Sequence, residues 1–366
     1  MTERAPREHL RIVIKVGSGL LVNADGKLRL DWLRALAGDL ATLQKKSEIL
    51  VVSSGAIGLG RGPLGIDQGS KRLDELQAAA ALGQIRLANG WNSTLADAGL
   101  VTAQLLLTLE DTENRRRYLN ALETIRVLID RKVIPVINEN DTVATDEIRY
   151  GDNDRLAARV AQMVDADALL LFTDVNGLFD GPPDEAGSKL IERVDTISPA
   201  IESMTLPQRS KLGTGGMQSK LAAAKIAVAA GCEVYLANGQ EPGALGRFLN
   251  GTPCTHFVAS GKHGAARKRW IGASLKTTGS VWLDEGAVAA LRSGKSLLSV
   301  GVEKVAGQFS RGDALLLFDA NDNEIGRGLS SLDRDEAAAR LTAKKQSVTD
   351  HQRSVFVHRN DLVLVS

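Results

Sequence analysis

Two short polar runs hold the residue types nearest to chemistry in this chain. Asn138-Glu139-Asn140-Asp141-Thr142 follows the apolar segment Ile134–Ile137, and Gly151-Asp152-Asn153-Asp154 precedes the helically spaced Leu156, Val160, Met163 and Val164. An apolar run that turns polar at once reads as a buried strand reaching a sheet edge. Asp or Asn just ahead of a helical pattern reads as the start of that helix. A turn does not need four such residues, and a cap needs only one. In open α/β sheets, ligands gather at the carboxyl ends of strands and the amino ends of helices. The pair therefore predicts a site for a polar ligand, against the plainer alternative of a turn and a cap.

Two lysines beside glycines add anion chemistry. Lys15 lies near the end of the strand-like run Arg11–Val16, directly ahead of Gly17-Ser18-Gly19. An ammonium there is poorly suited to strand packing and well placed to meet an anion held by glycine-freed backbone amides. Gly213-Thr214-Gly215-Gly216-Met217-Gln218-Ser219-Lys220 leads glycines straight into a helix, with Lys220 one turn in. Free amides and the positive helix end converge at such a point, which favours phosphate binding. It is not a P-loop, because the Gly-Lys-Ser/Thr order is missing.

Other patterns carry less. Gly60-Arg61-Gly62-Pro63-Leu64-Gly65 matches the dinucleotide fingerprint in spelling, but it starts well past its strand and contains Pro63, so it reads as a mobile loop. Gly294-Lys295-Ser296 reads as a surface turn. The five histidines show no metal-ligand spacing, no Cys pair supports zinc, and no residue is singled out as a metal ligand. There is no nucleophile elbow. Two lysines at glycine turns, an Asp/Asn cluster and no obvious base or nucleophile suit phosphoryl transfer, which needs positioning and charge neutralisation more than covalent chemistry.

The elements that must position these residues alternate. Strand-like runs at Arg11–Gly17, Glu48–Ser53, Val101–Leu107, Val133–Ile137, Ala168–Phe172 and Glu233–Ala237 are nearly all apolar, with helical patterns between them. That predicts an α/β fold with a mostly parallel sheet covered on both faces. Near Ser260 the pattern changes. Residues 261–277 read as a linker between a first domain, 1–260, and a mostly-β second domain, 278–366, with one or two small helices. A chain of 366 residues fits two cores. The net charge of +1 argues against bulk capture of nucleic acid or membrane. The two cysteines make no disulfide framework, the first residues lack a signal-type apolar core, and no apolar run is long enough to span a bilayer. A cytoplasmic location is the expectation.

Taken in order, Ile14-Lys15-Val16-Gly17-Ser18, Val52-Ser53-Ser54-Gly55-Ala56, Val136–Asp141, Gly151–Asp154 and Gly213–Met217 resemble the glutamate 5-kinase family of the amino acid kinase superfamily. Asp284-Glu285-Gly286-Ala287 and Phe309-Ser310-Arg311-Gly312-Asp313 resemble a PUA domain. One departure is Val-Ser-Ser-Gly where Val-Thr-Ser-Gly is common, and it leaves Ser54 untouched. The resemblance implies a three-layer αβα sandwich around an open, mostly parallel eight-stranded sheet, followed by a small mostly-β PUA domain. It implies ATP- and Mg²⁺-dependent phosphorylation of the γ-carboxylate of L-glutamate, the first step of proline synthesis. Lys15 and Lys220 would contact the transferring phosphoryl group, and Asp154 would hold both lysines. Ser54, Asp141 and Asn153 would bind glutamate, with Asn138 and Asp152 close by. Lys15, Thr173, Asp174 and the loop Thr214, Gly215, Gly216, Met217, Gln218, Ser219 and Lys220 would contact ATP. A homo-oligomer inhibited by proline is also implied. The rivals are a kinase for another amino acid, such as N-acetylglutamate or aspartate, and an RNA-binding protein using the PUA domain and the basic stretch Lys262–Arg269.

Overall fold

Strands that are apolar at every position must be covered on both faces, and the helices between them supply the cover. In the computed structural model, which describes residues 10–143, 152–185, 187–204, 216–260, 277–344 and 354–365, this produces two compact units, Met1–His263 and Gly264–Ser366. The expected linker, 261–277, lies outside the described residues except for Thr277.

The first unit is built on eight strands: β1 (Leu10–Val16), β2 (Ser47–Ser53), β3 (Thr102–Leu107), β4 (Ile134–Glu139), β5 (Ala168–Thr173), β6 (Arg193–Val194), β7 (Glu233–Asn238) and β8 (Thr255–Phe257). They form one sheet in the order β3-β4-β2-β1-β5-β7-β8-β6. Pairing is parallel from β3 across to β7; β8 runs antiparallel to β7, and β6 pairs parallel with β8. The helices are α1 (Ser18–Leu21), α2 (Leu30–Leu43), α3 (Ala56–Arg61), α4 (Leu73–Asp97), α5 (Leu109–Glu113), α6 (Arg115–Asp130), α7 (Asp152–Met163), α8 (Pro199–Ser203), α9 (Met217–Ala229) and α10 (Ala244–Leu249).

The handedness of the crossovers sorts these helices into two layers. Right-handed connections that step through the sheet in opposite directions lie on opposite faces. The steps β1 to β2 and β2 to β3 run one way and carry α2 and α4. The steps β3 to β4, β4 to β5 and β5 to β7 run the other way and carry α6, α7 and α9. Two cores follow. Ile12, Ile14, Ile49, Val51 and Leu170 pack with Trp32, Leu36 and Leu40 of α2 and Leu87 and Trp91 of α4. Val13, Leu50, Val52, Leu169 and Leu171 pack with Leu156 and Val160 of α7 and Leu221 and Ala224 of α9. This is the expected three-layer sandwich.

The glycine run after β2 is not the loop expected of it. Gly60 and Arg61 end α3, and Gly62–Leu64 continue as a 3₁₀ turn. The cause is tertiary. A Cβ at Gly60 would stand 1.8 Å from the Ala79 carbonyl oxygen of α4, and one at Gly83 would stand 1.8 Å from that of Ala56. Glycine on both helices lets their backbones touch, and that contact holds the short helix.

The second unit has a five-stranded sheet in the order β11-β9-β12-β13-β15 and a two-stranded pair β10-β14. These are β9 (Gly279–Leu283), β10 (Leu297–Leu298), β11 (Val302–Gly307), β12 (Ala314–Phe318), β13 (Glu324–Leu329), β14 (Val355–Val357) and β15 (Leu362–Leu364). Helices at Glu285–Arg292 and Arg334–Lys344 complete it, over a core that includes Val281, Leu283, Leu315, Leu317 and Phe356. The expected turn at Gly294-Lys295-Ser296 is present between helix and strand.

Candidate active site

Side chains alternate along a strand, so in β1 Lys15 shares the face of Val13, beneath α7 and α9. It is the penultimate residue of the strand and only 5% exposed. Asp154 stands in the first turn of α7, fully buried, and Lys220 in the first turn of α9, 7% exposed. All three meet. Lys15 Nζ lies 2.6 Å from Asp154 Oδ1, and Lys220 Nζ lies 3.2 Å from Asp154 Oδ2. The Ser219 hydroxyl donates to the same Oδ2 at 2.7 Å.

The electrostatics follow from that geometry. Burial alone would raise the Asp154 carboxyl, but the Lys15 and Lys220 charges, with hydrogen bonds from Lys15 and Ser219, outweigh it and bring the group down to about 2. For Lys15, burial is the largest influence and lowers its pKa; Lys220 adds to the lowering and Asp154 opposes it. The cluster thus holds one carboxylate and two ammonium groups, an excess of positive charge in a dry place. A Cβ at Gly17 would stand 3.6 Å from Lys15 Nζ. Glycine keeps that flank of the ammonium uncovered.

Strand register brings the other expected residues to the same sheet edge. Val16 pairs with Ser53, Val52 with Ile137, and Lys15 with Leu171. Gly17, Ser54, Asn138–Asp141 and Thr173–Asp174 therefore end their strands side by side. Ser54 is half-buried and is followed by Gly55 at φ 105°, a left-handed conformation that makes the strand-to-helix turn a glycine position. The strand expected to end at Ile137 runs on through Glu139, so Asn138 is the penultimate residue of β4, 2% exposed, and its amide donates to Gln84 Oε1 at 2.7 Å. Among the described residues its Oδ1 is buried without a hydrogen-bond partner, as is Asn153 Oδ1. Asp141 follows β4 at 9% exposure. Thr173 ends β5 and donates from Oγ1 to the exposed Asp174 at 2.9 Å. Gly216 caps α9, followed by Met217, Gln218, Ser219 and Lys220. Asp152 starts α7. Thr214, Gly215 and the basic stretch Lys262–Arg269 lie outside the described residues.

Sequence reasoning missed Gln84 as a site residue, and the inward use of the Ser219 hydroxyl. Gln84, Leu87 and Trp91 share one stripe of α4. A polar residue on a stripe whose other members are buried was the available signal. Gln84, Trp91, Ser53 and Asn138 line a cavity of about 210 Å³ between α4 and the β3–β4 edge. Trp91 donates to Ser53 Oγ at 2.9 Å. Among the described residues, no group of three or more His, Cys, Asp or Glu side chains is placed to hold a metal ion.

The amino acid kinase family model matches residues 10–238, the span from β1 through β7. Glutamate 5-kinase from Bradyrhizobium diazoefficiens is 50% identical over 364 residues, covering 97% of this chain and 97% of that one. Glutamate 5-kinase from Nitrobacter hamburgensis is 48% identical over 371 residues, covering 100% and 98%. The chain belongs to the glutamate 5-kinases of the amino acid kinase family. Residues 279–351 match the PUA domain. The crystal structure of UMP kinase from Bacillus anthracis shares the fold of the first unit at a TM-score of 0.50 and 18% identity, covering 70% of this chain and 98% of that one. No described helix is long and apolar enough to cross a membrane.

Proposed function

We propose that the chain transfers the γ-phosphoryl group of ATP to the γ-carboxylate of L-glutamate, forming L-glutamyl 5-phosphate, the first step of proline biosynthesis. The observation that supports this most is the buried Asp154 carboxylate shared by Lys15 and Lys220 at the carboxyl edge of the parallel sheet. In the reaction a carboxylate oxygen attacks the γ-phosphorus, a new P–O bond forms, and the bond to ADP breaks. The acceptor is already ionised at neutral pH, so no side chain has to take a proton from it. The obstacle is repulsion between anions, and two desolvated ammonium groups oppose it. Asp154 keeps both pointed at one place and does not touch the substrate.

Around that centre, Asp141 would take the glutamate α-ammonium, and Ser54 and Asn153 would hold its polar groups, with Asn138 and Asp152 adjacent. The buried Oδ1 atoms of Asn138 and Asn153, unbonded among the described residues, support this, because such atoms are costly unless a ligand or water completes them. Thr173, Asp174 and Thr214–Lys220 would carry the nucleotide. Mg²⁺ would supply charge neutralisation on the phosphates. It commonly binds through phosphates and one or two carboxylates, and the exposed Asp174 at the end of β5 offers one. A cytoplasmic homo-oligomer inhibited by proline belongs to the same proposal.

The test is ADP release with ATP, Mg²⁺ and L-glutamate, with the acyl phosphate trapped by hydroxylamine. Hydroxamate should form with L-glutamate and not with aspartate or N-acetylglutamate. Turnover only with one of those acids would replace the substrate assigned here. A second reading, RNA contact by the second unit, is favoured by Trp282, which stacks on Phe318 at 5.4 Å and carries Lys304 Nζ 4.3 Å from its ring centre. Salt-dependent binding of single-stranded RNA by the full chain, lost in Trp282→Ala, would support it; equal binding by both would not.

A further inference from the structure

The Ser219 hydroxyl faces two acceptors, Asp154 Oδ2 at 2.7 Å and Gly216 O at 2.9 Å. It has one proton. The ionised carboxylate is the stronger and the nearer acceptor, so the proton is committed to Asp154. That oxygen therefore receives two neighbours from α9, Ser219 and Lys220, while the other oxygen receives Lys15 from β1. The two α9 neighbours constrain it differently. Lys220 reaches Asp154 at the end of a flexible four-carbon stem and tolerates a range of backbone positions. Ser219 reaches it across one side-chain torsion, which leaves the backbone of α9 little freedom.

We propose that Ser219 is a positioning residue, which locks the first turn of α9 onto Asp154 so that Lys220 and the glycine-led helix start meet the transferring phosphoryl group in fixed register. This rests on the kinase reading above and deepens it. The resemblance places Ser219 among nucleotide contacts; the geometry directs its hydroxyl to the carboxylate that organises both lysines. The same hydrogen bond helps keep Asp154 ionised.

The experiment compares Ser219→Ala, Ser219→Cys and Ser219→Thr in the full-length chain, alone and combined with Asp154→Asn. It measures kcat, KM for both substrates, and ATP binding at equilibrium. Ser219→Ala should lower kcat about tenfold to a hundredfold, as expected for losing a hydrogen bond to a charged group. ATP affinity should stay within about twofold, the order of an unaffected site. Ser219→Thr should restore turnover. Ser219→Cys, which is slightly larger and donates only weakly, should not. In the Asp154→Asn background, Ser219→Ala should add little, because its effect passes through the missing carboxylate.

A loss of ATP affinity matching the loss of turnover would overturn the proposal, as would wild-type turnover in Ser219→Ala or an undiminished effect on top of Asp154→Asn. A readout without catalysis separates this from failure of the kinase reading. Without the hydroxyl, Asp154 is less depressed, so acid unfolding should begin at higher pH in Ser219→Ala than in wild type. In the Asp154→Asn background the same substitution should leave the acid midpoint unchanged. An acid midpoint that moves equally in both backgrounds, or in neither, would sink the proposal even if no glutamate-dependent turnover were found.

Discussion

Replacing Asp154 by asparagine tests the central cluster with almost no change of shape. The carboxylate is fully buried, and each of its oxygens faces a different ammonium, at 2.6 and 3.2 Å. Asparagine offers one carbonyl oxygen and one NH₂, so whichever way the amide turns, one lysine meets a donor and neither meets a charge. Removing one member of a buried ion pair costs roughly 3–5 kcal/mol, because the remaining charge stays desolvated. Chemical unfolding without nucleotide should therefore show a loss of about that size. Lys15, whose pKa is already lowered by burial and by Lys220, loses its main support and is driven further toward the neutral form. Turnover should fall by about a hundredfold or more, the scale of one preorganised electrostatic group. Glutamate KM should move little, since Ser54 and Asp141 are unchanged. ATP phosphates would give the lysines new partners, so saturating ATP should raise the melting temperature of the variant more than that of wild type. The assay is ADP release at saturating substrates, beside urea unfolding with and without ATP. A variant with native stability and turnover, or one that loses only glutamate affinity, would refute the role given to Asp154.

Asp141→Asn should do the reverse, weakening glutamate binding by roughly 2–4 kcal/mol, about 30- to 1,000-fold, while ATP affinity holds; an unchanged glutamate KM would remove Asp141 from the ammonium site. Turnover should decline on the alkaline side at a pH below the ordinary lysine value of 10.5, because the Lys15 pKa is lowered and the neutral amine attracts no phosphate. A pH profile in Lys15→Arg, with that limb displaced upward at a reduced rate, checks it. The Asp154 carboxyl, at about 2 when folded against 3.8 ordinarily, contributes about 2 kcal/mol of stability above pH 3.8. That contribution is lost as pH falls toward 2, and an acid titration of the melting temperature in wild type and Asp154→Asn measures it. Gly83→Ala should destabilise the first unit by about 1–3 kcal/mol or more and disturb the β2–α3 turn, since its Cβ would overlap the Ala56 carbonyl oxygen. A chain ending at Thr277 should remain a soluble glutamate kinase, as every assigned site residue precedes that point; an inactive or insoluble product would show that the second unit completes the site or the fold.

The six parallel strands β1 to β5 and β7 were legible because burial on both faces leaves a continuous apolar run; the short β6 and β8, of two and three residues, were not. Nor were β11 and β13. Val302–Gly307 contains Glu303 and Lys304 on an exposed stretch, and Glu324–Leu329 is broken by Gly326 and Gly328. Neither reads as a strand without its neighbours: Gly326 lies under the Val363 carbonyl oxygen, too close to admit a Cβ, and that contact exists only once β15 is paired. The end of the short helix α3, Gly60 and Arg61, with the 3₁₀ turn after it, was misread as a loop for a related reason. Gly58, Gly60 and Gly62 give it poor intrinsic propensity, and the α4 backbone supplies what the local sequence lacks.

At the active site the residue types were legible from the residues themselves, while the pairing of Lys15, Asp154 and Lys220 was implied only by the family resemblance, because the three are far apart in the chain. Two elementary rules nevertheless contain the missing step. Ile12 and Ile14 pack toward α2, so alternation turns Lys15 to the opposite face of β1. The chain steps from β1 to β2 in one direction and from β4 to β5 in the other, so right-handed crossovers place α7 on the face opposite α2. The step from β5 to β7 puts α9 beside it. Lysine at an odd position of β1 therefore faces the starts of α7 and α9, where Asp154 and Lys220 lie. A lysine at Ile14 would instead enter the apolar core of α2 and α4. The side chains that escaped prediction, Gln84 and the Ser219 hydroxyl, are those whose direction depends on how closely two helices approach, which neither alternation nor handedness determines.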